Sequence, residues 1–151
     1  MKILKRLFKN RGINTMKKDD CIFCKLANGV FPTNSIYEDD LFNVILDASP
    51  ANEGHALILP KEHYQDVFEI DEDTLGKAMI LAKKIAIKQT EVLKCDGVNI
   101  IQNNKEAAGQ SVPHYHLHVI PRFVDDKQKM LWTPHEADAD KQKDICNKLS
   151  F

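Results

Sequence analysis

Two hydrophobic periods alternate along this chain. Leu75, Ala78, Met79, Ala82, Ile85, Ala86, Gln89 and Leu93 recur three and four residues apart, which places them on one nearly apolar helix face. Lys77, Lys83, Lys84 and Lys88 fall mostly off that face. Asp71 is a suitable N-cap, and Glu72 and Asp73 suit the first turn. The spacing predicts one long helix closing near Leu93, followed by a turn at Asp96-Gly97. Elsewhere the apolar runs are short. Ile36–Glu38, Phe42–Leu46, Ala56–Leu59, Val98–Gln102 and His114–Ile120 predict strands, with Pro60 and Pro121 at strand ends. The segment from Asp47 to Gly54 is a long hairpin connection. Cys21-Ile-Phe-Cys24 opens a short helix stopped by Gly29, and Ala137 to Leu149 predicts a terminal helix. Locally paired strands with one long helix lying across them make an antiparallel α+β domain.

The chain has 151 residues, 43% hydrophobic and 28% charged, with a net charge of −1. That suits one domain with a core, and it excludes a strongly basic nucleic-acid binder and a disordered acidic chain. The charge is unevenly placed. Residues 1–18 carry seven lysines and arginines and no acid, leaving 14 basic against 22 acidic groups in residues 19–151, a net of −8. The division is therefore a basic N-terminal extension, 1–18, and a domain, 19–151, with a tail from about 124. In the extension Ile3, Leu4, Leu7 and Phe8 make a small apolar stripe. It reads as a weak membrane-surface helix or as a dispensable extension with Met16 as an alternative start; the small area favours the second. The extension lacks the apolar stretch of a secretory signal, and no run is long enough for a membrane span. With only four cysteines, this describes a cytoplasmic protein with reduced thiols or metal ligands rather than a disulfide scaffold.

Chemistry concentrates in Gly109-Gln-Ser-Val-Pro-His114-Tyr-His116-Leu-His118. On a strand His114, His116 and His118 share one face and Tyr115, Leu117 and Val119 the other. Three buried imidazoles without function would each need a hydrogen-bond partner. A shared metal is a second reading. A third comes from the preceding loop. Ala107 to Gly109 are small, their N–H groups can approach an anion, and Ser111 adds a hydroxyl. An anion cradle beside imidazoles, neutral and nucleophilic near pH 7, suits phosphoryl or nucleotidyl transfer. Cys21 and Cys24, as half a zinc site, need two further ligands; His55, His63, His114 and His135 are the candidates. Cys95 and Cys146 read as free thiols. Asp39-Asp40 and Asp125-Asp126 read as solvated turn residues, and Asp66 to Asp73 as a loop and helix start.

His114-Tyr-His116-Leu-His118-Val-Ile resembles the His-φ-His-φ-His-φ-φ signature of the histidine-triad (HIT) superfamily, where φ is apolar. Asp47-Ala-Ser-Pro, Gly54 through His63, Asn103 and Gly109-Gln110-Ser111 fall in the family's order, so the resemblance runs from Cys21 to about Arg122. The Cys21-x2-Cys24 start is similar to the bacterial Hit/Hint-like branch, less to Fhit-like dinucleoside polyphosphate hydrolases.

The resemblance implies a HIT-like α+β fold that forms homodimers through long helices and central strands. It implies His116 as nucleophile on the α-phosphorus of a purine nucleoside phosphoramidate or related AMP conjugate, through a nucleotidyl-histidine. His118 and Ser111 contact the phosphate, Gln110 lies beside the leaving group, and His55 supports the histidine row. Asp47 receives the ribose hydroxyls, and Asn103 and Gly109 serve the phosphate end. Phe23, Phe42 and Ile45 flank the base. Structural zinc is bound by Cys21, Cys24, His63 and His114, with no metal needed for the chemical step. Ala108 stands where many relatives have glycine, and the match fades after Arg122, where the tail shapes the choice of leaving group. The rivals are a dinucleoside polyphosphate hydrolase and a zinc-stabilised nucleotide- or partner-binding module with little turnover. No nucleic-acid partner and no firm membrane association are expected.

Overall fold

The computed structural model describes residues 18–129 and 132–151, so the expectations for the extension up to Lys17 lie outside the described residues. The elements in order are α1 (Ile22–Ala27), β1 (Ser35–Glu38), β2 (Phe42–Leu46), β3 (Ala56–Pro60), α2 (Glu72–Leu93), β4 (Gly97–Ile101), β5 (Leu117–Arg122) and α3 (Ala139–Leu149). A 3-10 turn spans Glu106–Ala108. The strands form one sheet in the order β1-β2-β3-β5-β4, every pair antiparallel. Among the described residues no helix is long and apolar enough to cross a membrane.

Strand alternation divides the sheet into two faces. Phe42, Val44, Ala56, Ile58, Leu117 and Val119 point to one side and pack with Ala78, Leu81, Ala82 and Ile85 of α2. Ile45, Leu57 and Leu59 point to the other and pack with Ala27, Phe23 and Leu26 of the α1 segment. His118, between Leu117 and Val119, therefore opens on the α1 side. Phe42 is thereby corrected as a base-flanking residue: it is buried in the α2 core, across the sheet from the histidines.

The long helix begins where its cap predicts, with Asp71 Oδ1 accepting the Thr74 N–H at 2.9 Å. Its buried stripe keeps Ala78, Ala82, Ile85 and Gln89 as expected and differs at its edges. Leu81 is inside and Met79 half exposed, because the helix meets the sheet along Thr74, Ala78, Leu81, Ile85 and Gln89. Gln89 belongs to that face for a polar reason. Its Nε2 donates to the Gly54 and Val119 carbonyls, each at 2.9 Å, stitching α2 to the sheet and to the end of the 47–54 connection.

Two other expectations are revised. The last strand is Leu117–Arg122, not His114–Ile120. Residues 114–116 have other partners: Tyr115 N–H donates to the Tyr64 carbonyl at 2.6 Å and His114 N–H to Val112. Pro121 sits inside the strand because its carbonyl turns toward Asn52, so its missing N–H faces the side where β3 has ended. Nor is Asp126 a solvated turn residue. Its nearly buried carboxylate takes both Nε and Nη2 of Arg122 at 2.8 Å, together with the Phe123 and Gln128 N–H groups and the Asn52 amide. Asp66 is likewise buried, against the Lys105 ammonium.

Gln89→Ala should destabilise the fold by about 2–4 kcal/mol, since two buried carbonyls lose their donor. Lys88→Ala, one position away and exposed, should stay within about 0.5 kcal/mol. Urea unfolding of both variants checks this, and equal midpoints would remove Gln89 from its role.

Candidate active site and metal centre

Cys21 lies at the N-cap of α1 and Cys24 one turn on, so both sulfurs face the same way. His63 follows β3, and His114 precedes β5. All four are buried, and their ligand atoms lie within 4.8 Å of one another. Cys21 Sγ and Cys24 Sγ each stand 3.5 Å from His114 Nδ1, and Cys24 Sγ stands 3.4 Å from His63 Nδ1. A tetrahedral zinc with ordinary Zn–S and Zn–N bonds would set these sulfur–nitrogen edges at about 3.5 Å. The second shell agrees. His114 Nε2 donates to the Pro60 carbonyl at 3.0 Å, which leaves Nδ1 with its lone pair toward the cluster. The donor set thus fits a metal ion, and four protein ligands would close its coordination. Burial pushes the Cys24 thiol up, a cost that a bound cation would reverse by holding the thiolate. Of the other two histidines offered by the sequence, His135 lies with Cys146 beside α3 and His55 pairs with His118, so neither belongs to this cluster.

The histidine row continues from there. His116 Nδ1 donates to the His114 carbonyl at 2.6 Å, so Nε2 keeps its lone pair and points away. The His116 and His118 rings meet edge to face at 4.9 Å, and Phe23 packs on His116 at the same separation. His55, at the start of β3, has its Nε2 2.9 Å from His118 Nδ1. Its own Nδ1 accepts the Ala51 N–H at 3.1 Å. The Ala51 donor assigns the proton to His55 Nε2, which donates to His118 Nδ1 and leaves the His118 proton on Nε2. Burial pushes all three imidazoles below the ordinary histidine value, His118 to about 4, since it also faces His116 and His55. The row is neutral at pH 7 and holds one aimed lone pair and one aimed N–H.

Asp47 ends the hairpin strand beside His55, 3.7 Å from its Nδ1, while its other oxygen accepts the Ser49 N–H. Asp47, His55 and His118 also lie close enough to suggest a second metal cluster, but the two imidazoles point at each other across a shared proton. The 103–111 loop closes on itself. Gly109 has φ +85°, a conformation that costs other residues strain, and it lies against the Asn103 amide, 3.9 Å from where a Cβ would stand. Gln110 accepts the Lys105 N–H at 2.8 Å and donates to the Gln65 carbonyl at 2.7 Å. Ser111 is exposed, in a cavity also lined by Cys21, His63 and Gln65. His55, His116 and His118 are thus brought together with Asp47 at their edge; Ser111 and Gln110 lie along the rim toward the cysteines. The sequence reading missed Ala51, whose backbone N–H carries no side-chain signal.

Comparison with known proteins places the chain in a family. The HIT domain profile matches residues 28–125. The protein hit of Bacillus subtilis is 38% identical over 130 residues, covering 85% of this chain and 89% of its own. The adenosine 5′-monophosphoramidase of Saccharomyces cerevisiae is 38% identical over 135 residues, covering 85% and 82%. The adenylylsulfatase of Arabidopsis thaliana is 37% identical over 112 residues, covering 72% and 55%. Among solved structures, a Streptococcus mutans protein superposes with a TM-score of 0.83 at 35% identity, covering 91% of this chain and 87% of its own. A zinc-bound histidine triad family protein from Mycobacterium smegmatis gives 0.70 at 38%, covering 77% and 84%. With the HIT profile spanning residues 28–125 and a relative 38% identical over 85% of the chain, this protein belongs to the HIT family.

Proposed function

We propose that this protein is a nucleotide hydrolase that cleaves AMP conjugates, above all purine nucleoside phosphoramidates, at the α-phosphorus. The carrying observation is the 2.6 Å bond from His116 Nδ1 to the His114 carbonyl, which leaves Nε2 as an unprotonated, outward nucleophile. Relatives named for phosphoramidase and adenylylsulfatase activity support AMP–X as the substrate class.

In the first step the Nε2 lone pair of His116 forms a bond to phosphorus. The bond from phosphorus to the leaving amine breaks, and the amine departs with that electron pair and takes up a proton from solvent. His118 Nε2–H and the Ser111 hydroxyl bind the phosphoryl oxygens, and the N–H groups around Gly109 oppose the charge gathering there. Asp47 accepts the ribose hydroxyls, Asn103 steadies the phosphate end, and Phe23 and Ile45 border the base. Gln110, tied by both ends of its amide, keeps the loop in shape beside the leaving group. Water then attacks phosphorus and gives up a proton to solvent, the bond to Nε2 breaks with its electron pair returning to the ring, and AMP leaves with the neutral imidazole restored. The same arrangement accepts a diadenosine polyphosphate with a nucleotide as leaving group, the second reading.

Cys21, Cys24, His63 and His114 would hold a structural zinc, which would tie α1 to the segment leading into β5, where His116 lies, without entering the reaction. The protein acts as a cytoplasmic homodimer. Among the described residues no strand pairs with the outer edge of β4, and Met79, Ile80 and Ile87 are exposed on α2, which supports pairing through both elements.

His116→Ala should lower AMP release from an AMP–amine conjugate roughly 10³-fold or more while AMP still binds. Rapid quenching and mass spectrometry of the wild type should find the nucleotidyl group on the peptide containing His116. An adduct on His118 or His55 would sink the assignment. A diadenosine polyphosphate tested in parallel separates the two substrate readings.

Metal analysis should find about one zinc per chain, and brief EDTA treatment should leave turnover intact. Cys21→Ser should lower the zinc content and Tm more than the rate of the chemical step. Full zinc retention by a Cys21→Ser/Cys24→Ser double variant would place the ion elsewhere.

A further inference from the structure

The segment beyond β5 reaches back to the active site from outside it. Asp126 is locked by Arg122, two bonds at 2.8 Å, and by the Phe123 and Gln128 N–H groups. Its Oδ2 then accepts the Asn52 amide at 2.9 Å, and the same amide donates to the Pro121 carbonyl at 2.8 Å. Next door, Gln128 Nε2 donates to the Ala51 carbonyl at 2.7 Å. Two residues of the tail thus pin two consecutive residues of the 47–54 connection. One of those two, Ala51, supplies the N–H that His55 Nδ1 accepts.

This contact decides where a proton sits. With Ala51 donating to Nδ1, His55 carries its proton on Nε2 and gives it to His118 Nδ1, so His118 carries its own on Nε2. Asp47 stands 3.7 Å from the same His55 Nδ1. If Ala51 moved away, a proton on Nδ1 would find that carboxylate as acceptor. His55 Nε2 would then hold a lone pair, His118 would have to donate from Nδ1, and its Nε2 would face the substrate as an acceptor rather than a donor. A lone pair there repels phosphoryl oxygen instead of binding it.

We propose that Asp126, acting through Asn52 and assisted by Gln128, is a positioning residue that sets the tautomers of His55 and His118 and so keeps an N–H aimed at the phosphoryl group. The proposal rests on the reading of His118 as a phosphate contact. Asp126 never touches the substrate; its effect is carried by the connection that it anchors.

The test compares the full-length, zinc-loaded wild type with Asp126→Asn, Asp126→Glu and Gln128→Ala. Nitrogen-15 long-range correlation spectra of the histidine rings read the tautomers directly, and AMP release gives kcat and KM. In the wild type His55 and His118 should both be Nε2–H. Asp126→Asn should shift His55 toward Nδ1–H and lower kcat about 10- to 100-fold, with KM changed far less. Asp126→Glu, which keeps the charge, should recover part of the loss. Gln128→Ala removes one bond from an exposed side chain; it should shift His55 the same way to a smaller extent, and it carries the test if Asp126→Asn does not fold. A folded variant that lowers kcat while both tautomers stay as in the wild type overturns the proposal, as does a wild type with Nδ1–H on His55. A tautomer shift with unchanged AMP release would instead uphold the positioning and overturn the reading of His118.

Discussion

His114 is held at three atoms, and most of the site follows from where those bonds put it. Its Nδ1 faces two cysteine sulfurs, its Nε2 is tied to the Pro60 carbonyl, and its own carbonyl takes the proton of His116 Nδ1. The first contact fastens α1 to the approach of β5. The second fixes the tautomer of the imidazole. The third fixes the tautomer and direction of the next imidazole along. The Cys2His2 cluster and the histidine row are therefore one continuous construction, joined through a single residue.

The row works because burial acts on every imidazole in it alike. Taking a cation out of water is costly, so His55, His116 and His118 are all held below the ordinary value. A charged imidazole would be a poor nucleophile and would repel its neighbours 5 Å away. Keeping the row neutral makes the placement of protons, rather than of charges, the variable that the surroundings control. Backbone groups do much of that control: the His114 carbonyl for His116 and the Ala51 N–H for His55.

Periodicity made the fold legible. The Asp71 cap, the end of α2 near Leu93 and the two-faced strands follow from side-chain spacing and capping chemistry. The convergence of Cys21, Cys24, His63 and His114 was legible through the family resemblance, which selected His63 and His114 from four candidates that spacing left open. What escaped were features set by distant partners. Met79 and Leu81 exchange places because the sheet, not the helix, decides the contact line. The late start of the last strand depends on Tyr64, whose carbonyl takes the Tyr115 N–H from 51 positions away. Asp126 reads as half of a solvated pair until Arg122, Asn52 and Gln128 arrive around it. The ring partner of His55 is a main-chain group, which no residue type announces.

The alternation through His114–Ile120 has a consequence for how this gene can change length. His118 turns toward α1, while Leu117 and Val119 fill the core against α2. One inserted or deleted residue there would exchange the two sets, sending an imidazole into hydrocarbon and leucine into the histidine row. Substitutions can be sampled one at a time across this stretch, but a single-codon insertion or deletion forfeits both core and chemistry at once. Divergence in length among descendants of this sequence is thereby channelled to the connections and the tail.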